Sequence, residues 1–178
     1  MNLRLVRRIG LCCVSGAVVG MIQGDALPLE PLGEWSPYLV SGLTFAAGVL
    51  APYIRRDRWV ALRALGLVAA SSVSYLAAVS LAGYNDLIEF TMASVAGAAL
   101  VIVPVVYLAP VRASRKLFLL GLVSGLVGGP VTRFTLQGAL PLLLIGHVLW
   151  HTLIGLALYF GTVPGAWPRA SSPMGMPR

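Results

Sequence analysis

Acidic side chains are scarce in this chain, with six Asp and Glu among 178 residues against 13 Lys and Arg. Charge of either sign is scarce too, at 11% of positions, whereas soluble domains carry roughly 25%. The deficit excludes an ordinary soluble domain, because a core built from 178 residues cannot hide a sequence that is 58% hydrophobic. The mean hydropathy of +0.86 says the same. Cysteine occurs only as the neighbours Cys12 and Cys13. Side chains adjacent in a helix diverge by about 100° and cannot readily bond to each other, so a disulfide framework is excluded. Histidine occurs twice, at His147 and His151, which leaves little imidazole for metal chemistry.

The few charges are ordered. Basic residues cluster at Arg4, Arg7 and Arg8, at Arg55, Arg56, Arg58 and Arg63, at Arg112, Arg115 and Lys116, and at Arg169 and Arg178. Acidic residues fall elsewhere, at Asp25, Glu30 and Glu34 and at Asp86 and Glu89. Uncharged apolar runs separate the clusters. Placing every basic cluster on one side of a membrane takes an even number of crossings between successive clusters, and the runs supply it. Only Asp57 and Arg133 fall on the unexpected side. The positive-inside bias then predicts both termini cytoplasmic. Anchoring also accounts for the net charge of +7, so no nucleic-acid partner is expected.

The fold predicted is all-α, a polytopic membrane helix bundle of about six spans. Their approximate limits are residues 9–24, 38–54, 59–82, 87–109, 117–135 and 140–160, with a disordered cytoplasmic tail over 164–178 rich in Pro, Gly and Ser. The first span has the basic start of a signal peptide but a poor cleavage site, which predicts a retained helix. The setting expected is a bacterial inner membrane, with lipid as the first partner and other membrane subunits or a second copy as further ones.

Within the spans, Cys12, Gly16, Gly20 and Gly24 recur every fourth residue, a strip that lets another helix approach closely. Gly121, Gly125, Gly128 and Gly129 predict tight packing of the fifth span. Pro104 and Pro130 predict bends in the fourth and fifth spans. Asp86 and Glu89 have the spacing of a capping box. Arg133, on their side of the membrane, predicts an ion pair with one of them. Ala51-Pro52 and Gly66-Leu67-Val68 are echoed by Ala109-Pro110 and Gly121-Leu122-Val123, a weak repeat of one helical hairpin.

Chemistry concentrates on the last span. His147 and His151 stand four residues apart, so both project from one helical face, inside a stretch with no charged residue. Titratable rings in hydrocarbon mark a site by default. The third span adds Ser71, Ser72, Ser74 and Tyr75, and serines in such helices bond back to their own backbone or to a neighbour. A zinc site with three protein donors needs one beyond the two imidazoles, drawn from Asp86, Glu89, Tyr75, Cys12, Cys13 or a second subunit. Haem is less expected than zinc, because two rings on one helix face cannot clamp both sides of a porphyrin.

The run Gly146-His147-Val-Leu-Trp150-His151-Thr-Leu-Ile-Gly155-Leu-Ala-Leu-Tyr159 resembles the final-helix signature of the alkaline ceramidase and hemolysin III superfamily of membrane hydrolases. The resemblance implies zinc held by His147 and His151, with Ser71 and Asp86 as the catalytic candidates. The chain departs from that family where Tyr75 stands in place of a third zinc-binding histidine, and in having about six spans where the family has seven.

Three functions follow. The first is a binding or transport component for a small molecule or lipid, with a polar intramembrane pocket around His147, His151, Tyr75, Ser74 and Trp150. The second is a zinc-dependent lipid hydrolase of the ceramidase type. The third is a non-catalytic membrane scaffold or assembly subunit. The first is preferred, with no enzymatic activity and no cofactor expected, zinc being the one candidate.

Overall fold

The computed structural model describes residues 2–27, 29, 33–54, 59–81, 86–109, 111–136 and 140–164. It is helical, with a ring of six segments. These are α1 (Leu3–Gln23), α2 (Ser36–Phe45), α3 (Val60–Leu81), α4 (Leu87–Leu108), α5 (Arg115–Leu136) and α6 (Leu140–Gly161). Two short strands, β1 (Val111–Ala113) and β2 (Thr162–Pro164), complete it. The five helices other than α2 are long and apolar enough to cross a membrane, which marks the chain as a membrane protein.

Each helix packs against its neighbours in sequence, and α1 packs against α6, so the ring closes. The glycines show how closely. A Cβ on Gly16 would lie 2.5 Å from Val148 Cα, and one on Gly20 would lie 2.9 Å from Leu144 Cα. Gly24 meets the Leu140 side chain. Rising numbers on α1 meet falling numbers on α6, so the two run antiparallel with backbones nearly touching. The small-residue strip read from the sequence is this seam. In the same way Gly125 and Gly129 of α5 press on Val95 and Thr91 of α4.

The ends of the helices follow local chemistry. Asn2 caps α1, its side chain accepting from the Arg4 amide at 3.1 Å. The first helix therefore starts at Leu3, earlier than the apolar run suggests, and it carries the three N-terminal arginines. Arg8 turns inward: its Nη1 donates to the Tyr53 hydroxyl at 2.6 Å, and its guanidinium lies 4.7 Å and 5.0 Å from the Tyr53 and Tyr159 ring centres. Asp86 caps α4 by accepting from the Ile88 amide at 2.9 Å. Both α4 and α5 continue as helix through Pro104 and Pro130.

The second segment is irregular. After ten residues of α-helix it widens into a π turn over Ala46–Leu50 and tightens into a 3-10 turn over Ala51–Tyr53. The widened turn presents Gly48, which lies against Ser15 of α1 and has no room for a side chain. This break distinguishes α2 from the unbroken α4, its counterpart in the sequence echo.

One expectation is corrected here. Arg133 does not form an ion pair with Asp86 or Glu89 among the described residues; its guanidinium stands 5.8 Å from the centre of the Phe90 ring. Beyond α6 the described chain continues to residue 164. Thr162–Pro164 pairs antiparallel with Val111–Ala113, and the Ser114 amide donates to the Gly161 carbonyl at 3.0 Å. Backbone pairing clasps the end of α6 to the turn between α4 and α5. The remainder of the expected tail, 165–178, and the basic turn 55–58 lie outside the described residues.

Candidate functional site

The centre of the ring is built from one residue of each of several helices around His151. Phe45, the last α-helical residue before the π turn, is fully buried, and its ring meets His151 edge-on at 4.8 Å between centres. Trp150 and Tyr75 stand 5.7 Å and 6.3 Å from the same ring. Such edge-to-face contacts add roughly 0.5–1.5 kcal/mol per pair beyond burial.

His151 is buried completely, and both of its nitrogens are engaged. Nδ1 lies 2.8 Å from Ser15 Oγ of α1, and Nε2 lies 2.5 Å from the Tyr75 hydroxyl of α3. Ser15 Oγ also donates to the Thr44 carbonyl at 3.0 Å. A hydroxyl has one proton, and a carbonyl only accepts. Ser15 therefore accepts from Nδ1–H, and with a neutral ring Nε2 takes the Tyr75 proton. The chain reads Tyr75 O–H to His151 Nε2, Nδ1–H to Ser15, and Ser15 O–H to the Thr44 carbonyl. Every member is satisfied, which ties α1, α2, α3 and α6 at one point.

His147, one turn earlier, is the opposite case. It is 8% exposed, and its Nε2 is buried without a hydrogen-bond partner among the described residues. The two imidazoles are 6.4 Å apart and nearly perpendicular, at 89°. His147 lines a cavity of about 120 Å³ together with Gln23, Ser74, Tyr75, Ser94, Trp150 and others. Its other described walls are Ala78, Phe90, Ala93, Gly129 and Thr132, so no charged side chain lines it among the described residues. Gln23 closes α1, Phe90 begins α4 and Thr132 is near the end of α5, so the cavity lies toward the end of the bundle away from Arg8 and Lys116. Trp150 is held in the wall by its indole N–H, which donates to Ser94 Oγ at 3.0 Å, and by Gly128, whose position it fills.

Four of the residues expected around a pocket, Ser74, Tyr75, His147 and Trp150, line this one cavity. His151 stands behind the wall as the hub of the hydrogen-bond chain. Ser74 Oγ donates back to the Ala70 carbonyl at 2.6 Å, so its hydroxyl proton is spent within α3. The two catalytic candidates are elsewhere. Ser71 Oγ donates to the Leu67 carbonyl at 2.8 Å, and Asp86 is an exposed helix cap; neither lines the cavity.

The third donor that a zinc site would need is not supplied by a described His, Cys, Asp or Glu. Among the described residues no group of three His, Cys, Asp or Glu converges. Metal binding at the histidine pair would also cost His151 one of its two hydrogen bonds. Cys12, one of the proposed third donors, lies in the α1–α6 seam against Gly155, and Cys13 Sγ stands 3.8 Å from Thr152 Oγ1.

Sequence reasoning missed Ser15, Phe45, Ser94 and Thr132. Ser15 had a signal, as a polar residue in the middle of the first apolar run. Phe45 had none, because nothing in the sequence around Ala46–Leu50 announces a π turn. No family model, curated protein or solved structure matches this chain.

Proposed function

We propose that this protein is a binding or transport component for a small molecule or lipid, acting through the cavity beside His147. The observation that carries the reading is the orphaned Nε2 of His147, more than nine-tenths buried, in the wall of a cavity. A buried polar group left without a partner costs roughly 1–3 kcal/mol, and a ligand that bonds to it recovers that cost. Such a group is retained where binding needs it.

The topology that goes with this reading has both termini in the cytoplasm of a bacterial inner membrane and the cavity in the outer half of the bilayer. Its support is the charge pattern, together with the contact of Asn2 Nδ2 with the Tyr159 hydroxyl at 3.0 Å, which brings the start of α1 beside the end of α6. The hydrolase reading has less support, since neither Ser71 nor Asp86 lines the cavity with His147.

The test is native mass spectrometry of protein extracted with its surrounding lipid. Wild type is expected to carry a one-to-one small-molecule adduct that Ala78→Phe, which fills the cavity, excludes. An equal adduct on Ala78→Phe, or none on wild type with no small molecule raising its melting temperature, overturns the reading. Reporters inserted near Asp86 and near Lys116 test the orientation; a cytoplasmic signal from Asp86 would invert it.

A further inference from the structure

The chemistry of the cavity restricts what occupies it, and this inference rests on the binding reading above. Three features decide. First, no charged side chain lines the cavity among the described residues, so a charged ligand would be buried without a counter-ion, which is costly in a membrane interior. The ligand is neutral.

Second, the polar groups on the wall ask for a hydroxyl. His147 Nε2 is unpartnered, and it donates or accepts according to tautomer. A hydroxyl does both, and so satisfies it in either state. Ser94 Oγ accepts from Trp150, which leaves its own O–H able to donate to a hydroxyl oxygen. Third, Tyr75, Phe90, Trp150 and His147 supply aromatic walls to a space of about 120 Å³. An apolar cavity of about 150 Å³ accommodates a benzene ring. This space is somewhat smaller, so it takes at most one six-membered ring.

We infer that the cavity beside His147 binds a neutral, single hydroxylated aromatic ring of the phenol class, its hydroxyl on His147 Nε2 and its face against Trp150 and Tyr75. The ring comes either from a free phenol reaching the outer end or from the head of a membrane-soluble lipid.

The experiment uses full-length protein in lipid nanodiscs, with empty nanodiscs as the blank for partitioning. Binding of 4-fluorophenol, 4-fluorotoluene and 4-fluorobenzoate is read by fluorine NMR for wild type, His147→Leu and Ala78→Phe. Wild type is expected to bind 4-fluorophenol about tenfold tighter than 4-fluorotoluene, the worth of about one hydrogen bond. His147→Leu should erase that preference while still binding the toluene, which also shows that the variant is folded. Ala78→Phe should bind neither. Equal affinity for phenol and toluene in wild type, or tighter binding of the benzoate, overturns the ligand class and leaves the cavity reading standing. No binding of any probe overturns the ligand class, and the cavity reading is then decided by the adduct test above. Competition by 4-dodecylphenol separates the sources: stronger competition than phenol supports a lipid head, equal or weaker competition supports a free phenol, and both keep the ring class.

Discussion

His147 and His151 are the same residue type, one turn apart on the same face of the same helix, and the bundle treats them in opposite ways. His151 is wrapped by Phe45, Tyr75 and Trp150 and has a bond on each nitrogen. His147 is nearly as deeply buried, yet it lines a cavity and its Nε2 has no partner among the described residues. The difference comes from the neighbours. At the level of His151, α1 brings Ser15 and α3 brings the Tyr75 hydroxyl, and the π turn of α2 lets Ser15 in by presenting Gly48. At the level of His147, α4 and α5 line the cavity with Phe90, Ala93, Ser94, Gly129 and Thr132, and no described residue bonds to its Nε2. A polar group closed on all sides is structural; one left open to a space is available to a ligand.

Substitution at His151 should break the comparison hardest. His151→Ala leaves the Tyr75 hydroxyl and Ser15 without their partner and opens a hole at the point where four segments meet. The loss should be about 3–5 kcal/mol of bundle stability, read as a large fall in the unfolding midpoint in mixed detergent. A midpoint within error of wild type would show that the hydrogen-bond chain does not hold the ring together.

Removing single links should have a smaller effect. Tyr75→Phe leaves Nε2 of His151 unpaired, and Ser15→Ala leaves its Nδ1 unpaired, each at a cost of about 1–3 kcal/mol. The double variant should lose less than the sum, because both act through one imidazole. Strict additivity would mean that Ser15 and Tyr75 are not coupled through His151.

The smallest stability effect is expected at the other histidine. His147→Leu removes an orphaned polar atom and keeps most of the volume, so the midpoint should move by about 1 kcal/mol or less in either direction while ligand binding weakens about tenfold. A loss as large as that of His151→Ala would make His147 a structural residue and would erase the contrast.

Much of the bundle was legible in the sequence. The gaps between charges bracket the helices, because a charged side chain in hydrocarbon is costly. The strip of Cys12, Gly16, Gly20 and Gly24 describes a close contact, although it does not say that the partner is the histidine helix. The helix of α1 reaches back to Leu3, beyond the apolar run, because arginines sit comfortably in a helix there: Asn2 supplies the cap, and Arg8 finds two aromatic rings. The ion pair expected for Arg133 was displaced by Phe90, a neighbour of Glu89 that no charge count weighs. The catalytic candidates were chosen by resemblance to a family pattern, and in this bundle Ser71 bonds to its own helix and Asp86 to the amide two residues on.

What the chain alone determined is its solvent and its local form: runs of apolar residues between clustered charges must satisfy their backbone within themselves, and in lipid that means helices. What only the tertiary structure decided is which histidine is closed and which is open. Ser15 is 136 positions from His151, and Tyr75 is 76 positions from it. The periodicity of one helix records which side chains share a face, but it carries no information about which distant side chains that face will meet.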